Sequence, residues 1–130
     1  MSEIVFDHEK LIVYQKSVEF VKWVHQVLLK IKLKNPTIDQ FERAADSIAL
    51  NIAEGNGKYS GKDRCRYFDI AKGSSLECSS CLDLLFAKDL ISNDALIEGR
   101  ERLKEIVMMI MGLIKKNSDR IYEPETEYEN

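Results

Sequence analysis

The stretch SIALNIAEGNGKYSGKDRCRYF, residues 47–68, runs as an apolar, alanine-containing helical pattern and then breaks into glycine, serine and basic residues. Its reading decides the fold. If the break is a turn, a helix ends before it and another starts after it, and the pattern on both sides supports this. Ile38, Phe41, Ala45, Ile48 and Ile52 recur at spacings of three and four on the near side; Phe68, Ala71, Ser75, Cys78, Leu82 and Leu85 do so on the far side. Such spacing places each set on one face of a helix. Three glycines in EGNGKYSG supply the stop, through the left-handed conformation that helix ends often adopt. Ser60 and Asp63 are placed to cap the next helix.

Working outward, Pro36 cannot continue a preceding helix, and Thr37 with Gln40 has the spacing of a capping box, so the second helix starts there. Upstream, a first helix is expected from about Lys10 to Leu33, with Leu11, Tyr14, Val18, Val21, Leu28 and Ile31 along one stripe. An adjoining stripe, Val13, Phe20, Trp23, Val24 and Val27, widens the apolar face beyond what one core contact requires, and the excess suits burial against another subunit. The third helix is expected from Gly61 to Lys88, passing through Gly73 because the stripe keeps its phase there. ISND caps a fourth, with Leu96, Leu103, Val107, Ile110 and Ile114, running to about Lys116. No segment alternates with period two, so no strand is expected. The short connections favour an all-α, antiparallel up-down-up-down four-helix bundle.

At 130 residues, 45% of them hydrophobic and only two of them proline, the chain suits one compact domain, residues 1–116, with an acidic, flexible tail at 117–130. That tail carries a net charge of −4, which leaves the body with 18 basic and 17 acidic residues. The longest apolar runs, such as VMMIMGLI at 107–114, are far shorter than the roughly 20 residues of a membrane span, so no membrane partner is expected. The acidic N-terminus lacks the features of a signal peptide, and three cysteines, an odd number, agree with a reducing compartment. Both point to the cytoplasm.

Two constellations stand out. Ser47, Asn51 and Glu54 share a face of the second helix, and Ser74 and Glu77 share a face of the third; together they are expected to form a polar layer that supports the loop backbone around Gly55–Gly57. No histidine or other base falls in these stretches, so they do not read as a catalytic pair. Around the turn, Lys58, Lys62, Arg64 and Arg66 face a single acid, Asp63, with Tyr59 and Tyr67 interleaved. Cations among aromatic rings can grip phosphates and stack bases. Helix one adds Lys16, Lys22, Lys30, Lys32 and Lys34. A di-iron site would require Glu-x-x-His motifs, which are missing; His8 and His25 read as capping or packing residues. Cys78 and Cys81 have the spacing of a redox or zinc half-site but no second pair, and read as buried small residues, with Cys65 a separate, exposed thiol. No cofactor or metal is expected.

LIVYQKSVEFV, FERAADSIALNIAEGNGKYSGKD and YFDIAKGSSLECSSCLDLL resemble the four-helix-bundle proteins first noticed as products of open reading frames in 23S rRNA intervening sequences. The resemblance covers roughly Phe6 to Lys116; SIALNIAEG followed by SGKD, together with IAKGSSLE, is its most specific part. The family includes the accessory variability determinant of diversity-generating retroelements. The resemblance implies a homopentameric ring of four-helix protomers, and nucleic-acid binding through basic surface. This chain departs from the strongly basic retroelement proteins in its near-neutral body and in Asp46. The expected function is therefore a non-enzymatic homo-oligomer that binds RNA or DNA through Lys58, Lys62, Arg64 and Arg66. The alternative is a protein-interaction scaffold with another protein as partner.

Overall fold

The computed structural model describes residues 6–118; the acidic segment from Asp119 onward lies outside the described residues. A short 3-10 turn, Asp7–Lys10, leads into four helices: α1, Ile12–Leu29; α2, Pro36–Asn56; α3, Gly61–Ala87; and α4, Asn93–Asn117. No strand occurs among the described residues. Each of the last three starts with a side-chain cap. Asn35 accepts from the Thr37 N–H at 2.8 Å, Ser60 from Asp63 at 3.1 Å, and Ser92 from Ala95 at 3.1 Å. The start of α2 corrects the expected capping box: Asn35 is the cap and Pro36 occupies the first helical position, where its missing N–H costs nothing.

The helices pack in a closed cycle around one core, α1 on α2, α2 on α3, α3 on α4 and α4 back on α1. Phe20, Phe41, Phe68, Ile48, Ile52, Leu82, Leu85, Ile106 and Ile110 are fully enclosed, each contributing about 1.5–3 kcal/mol by leaving water. On α1 the two apolar stripes divide unequally. Val13, Phe20, Trp23, Val24 and Leu28 enter the core, whereas Leu11, Tyr14 and Val21 lie at its margin and Val18 is exposed. The rings decide this: Phe20 packs against Phe41 with centroids 6.3 Å apart, and Trp23 reaches Gly99 on α4, where a Cβ would stand 2.8 Å from the indole. The first helix is also shorter than its periodicity suggests. It ends at Leu29, and Lys30–Asn35 cross to α2 with Leu29 and Leu33 exposed.

Glycine does not end α2 by turning left-handed. Gly57 keeps a right-handed φ of −82°, and the sole non-glycine residue with positive φ among the described residues is Asp89, at 59°, in the connection between α3 and α4. The third helix passes unbroken through Gly73, as its stripe predicts. Pairs across the helices set the ends of the molecule: Thr37, at the start of α2, accepts from Lys88 just past α3, while Arg64, near the start of α3, reaches Asn117 at the end of α4.

Candidate functional site at the turn between α2 and α3

The turn is built by close approach. Gly55 is buried against α3, and a Cβ there would lie 2.8 Å from Phe68 Cε1 and 3.0 Å from the Arg64 carbonyl oxygen. The chain leaves α2 through bonds from the Gly57 N–H to the carbonyls of Ala53 and Glu54, and from the Lys58 N–H to Gly55. Gly61 then lets α3 begin hard against the end of α4, because any Cβ on it would collide with the Asn117 carbonyl.

Arg64 is the strut of this corner. Half-buried, it donates from Nε to the Lys58 carbonyl at 2.8 Å and from its terminal nitrogen to Asn117 Oδ1 at 3.3 Å, while Asn117 donates to Leu113. One planar guanidinium thus ties the turn to the end of α4. The other three cations stay at the surface. Lys58 pairs with Glu54 at 3.1 Å and stands 5.1 Å above the Tyr67 ring, with Arg66 at 5.3 Å from the same ring. The hydrogen bond to Glu54, then the fields of Tyr67 and Glu54, raise the pKa of Lys58. Lys62 is exposed, and Tyr59 is fully exposed. Beside them opens a cavity of about 830 Å³, lined by Ser60, Gly61, Lys62, Arg66, Asp69 and Asn117 among others.

Of the five residues expected in a polar layer, Ser47, Asn51 and Ser74 are brought together. Ser47 and Ser74 hydroxyls meet at 2.8 Å between α2 and α3, and the Asn51 amide donates to the Ser47 carbonyl at 2.8 Å and hydroxyl at 3.0 Å. Glu77 joins the two helices separately, accepting from Gln40 at 3.2 Å on the exposed side. Glu54 does not belong to the layer; its carboxylate turns outward to Lys58. Nor does the layer serve the Gly55–Gly57 backbone, which is satisfied by helix-end bonds and, at Lys58, by Arg64. The role of Arg64 was hidden because its partner Asn117 lies 53 residues away. A lone asparagine at a helix end was the available signal.

Other expected features are also placed. Cys78 and Cys81 are buried, and burial pushes both thiols upward, Cys78 far more strongly. Cys65 is buried rather than exposed, its thiol donating to the Ile114 carbonyl at 3.6 Å. His25 is exposed on α1, 3.7 Å from Glu42, rather than packed; His8 meets the Tyr14 ring edge-on at 4.8 Å. Among the described residues no three His, Cys, Asp or Glu side chains cluster as metal ligands, and no helix is long and apolar enough to cross a membrane.

Comparison with known proteins places this architecture. A crystal structure of a protein of unknown function from the S23 ribosomal protein family of Bacteroides thetaiotaomicron superposes with a TM-score of 0.75 at 24% identity, covering 80% of this chain and 99% of that one. At that identity the likeness is one of fold. Curated proteins return no match. The profile of the 23S rRNA-intervening sequence protein matches residues 9–112, which takes in all of α1, α2 and α3 and most of α4. The chain belongs to the 23S rRNA-intervening sequence protein family.

Proposed function

We propose that this protein is a non-enzymatic, homo-oligomeric four-helix bundle that binds nucleic acid through the turn between α2 and α3. The observation that carries this reading is the cation–aromatic cluster: Tyr67 flanked by Lys58 and Arg66, with Lys62 and a fully exposed Tyr59 beside it. Phosphates suit the cations, and unpaired bases suit an open ring. Glu54, Asp63 and Asp69 lie close by, so a single site is weak; repetition around a ring, a pentamer by family resemblance, multiplies it. An antiparallel, up-down-up-down course is supported by Thr37 meeting Lys88, Lys16 meeting Glu105, and Arg64 meeting Asn117. A cytoplasmic setting fits the three unpaired cysteines.

Fluorescence anisotropy of labelled single-stranded RNA and DNA at low salt tests this. Binding is expected to weaken steeply as salt rises, and to be lost in Lys62→Glu/Arg66→Glu. No binding at low salt overturns it. A second reading, a protein scaffold without nucleic acid, is favoured by exposed Ile70, Leu76 and Leu84 on α3 and Leu50 on α2. It predicts that replacing these with serine, not the charge reversals, removes the interaction.

A further inference from the structure

The connection between α1 and α2 forms a second cationic surface, and its chemistry differs from that of the turn. From Phe20 to Ile38 the chain carries Lys22, Lys30, Lys32 and Lys34 and no acid at all. Lys30, Lys32 and Lys34 are exposed, and none has an ion-pair partner among the described residues. Leucines stand between them with 68% (Leu29) and 69% (Leu33) of their surface open to water. Alongside lies an open cavity of about 660 Å³ lined by Leu28, Ile31, Pro36 and Ile38 together with Lys32 and Lys34, with one acid, Asp39 of α2, among them. Lysine around an apolar floor, without aromatic rings, suits a ligand that presents carboxylates and apolar side chains together; bare phosphodiester would leave the leucines in water.

Such a ligand occurs in the chain itself. Residues 119–130 hold Asp119, Glu123, Glu125, Glu127 and Glu129 against one arginine, with Ile121, Tyr122 and Tyr128 interspersed. They follow Ser118, and Asn117 abuts Gly61 at the start of α3. The lysine surface leads into Thr37, which bonds Lys88 just past the far end of α3. The 27 residues of α3 separate the two places by about 40 Å. From Ser118 the chain extends at most about 14 Å by Tyr122 and about 40 Å by Glu129, so a segment laid along the lysines with Ile121 and Tyr122 seated on them cannot belong to the same protomer. A neighbouring copy can receive them. The nearer cations are a poorer partner, because Lys58 is held by Glu54, Arg64 by Asn117, and Asp63 stands among them.

We infer that residues 119–130 of one copy dock on the Lys30–Lys34 surface of the next, clasping the protomers of the proposed assembly head to tail. Such a contact uses two different patches, so it closes into a ring when the rotation permits. This rests on the homo-oligomer reading.

Sedimentation velocity on the full-length chain tests it with two variants. Lys30→Glu/Lys32→Glu/Lys34→Glu removes the socket; Glu123→Lys/Glu125→Lys/Glu127→Lys/Glu129→Lys removes the segment's charge. Lys30, Lys32 and Lys34 are exposed, and circular dichroism checks that both variants keep their helix content. Each variant alone is expected to need about tenfold higher concentration to assemble, and both sets of changes in one chain are expected to restore assembly. Full assembly by both single-set variants overturns the contact while the oligomer reading stands. A wild-type chain that sediments as a monomer at every concentration overturns both.

Discussion

Two glycines two positions apart, Gly55 and Gly57, respond oppositely to the same change. Gly55→Ala drives a methyl into Phe68 and the Arg64 carbonyl, and a loss of about 1–3 kcal/mol is expected from overpacking. Gly57 has a right-handed backbone, and the nearest atom to an added Cβ is the Glu54 carbonyl oxygen at 3.5 Å. Gly57→Ala is therefore expected to stabilise by about 0.5 kcal/mol, by restricting the unfolded chain. Urea denaturation of the pair checks both signs. Cys78 offers a pH signature. Burial raises its folded pKa above the ordinary 9.0, so its contribution is fully present below pH 9 and is lost as alkali ionises the unfolded thiol first. Stability is expected to fall by about 1.4 kcal/mol per pH unit above that point, and Cys78→Ala, though destabilised throughout, flattens the slope.

At the scale of the element, α2 and α3 are held by a narrow polar contact within an apolar seam. A double-mutant cycle on Ser47→Ala and Ser74→Ala is expected to show coupling of about 0.5–1.5 kcal/mol; Glu54→Gln paired with Ser74→Ala is expected to show none. Asn35→Ala removes the cap of α2 and is expected to cost about 1 kcal/mol in thermal unfolding. These elements also show what a sequence can disclose. Periodicity located four helices and the seams of α2 and α3, because burial of regular helices repeats at fixed spacing; on α4 it chose Val107, which is only half-buried, where Ile106 enters the core. It misjudged α1, where two apolar stripes compete and partners from Phe41 and Gly99 choose between them. Local chemistry identified Ser60 as a cap and placed the cap of α4 within ISND, where Ser92 supplies it. It could not show that Arg64 bonds Asn117, since that contact depends on how two distant helix ends meet.

Across the whole molecule, charge is arranged by position more than by amount. The chain carries a net −3, yet cations gather at the α2–α3 turn at one end and at Lys30–Lys34 at the other. Neutralising Lys62 and Arg66 to glutamine is expected to reduce the salt slope of single-stranded RNA binding by about 1.4 per site occupied, leaving the melting temperature unchanged. Arg64→Ala, by contrast, is expected to lower both melting temperature and affinity, because it releases the turn from α4. The basic residues were legible in the sequence; their division into one strut and three surface cations was not, since exposure and pairing arise only on packing.

Trp23, lodged on Gly99 with Arg102 5.8 Å from its ring, is the chain's one tryptophan. It follows that intrinsic fluorescence reads a single seam. Excitation of that indole watches α1 part from α4 and little else, so a red shift preceding the loss of far-ultraviolet ellipticity would mark the first helix as the part that peels away earliest.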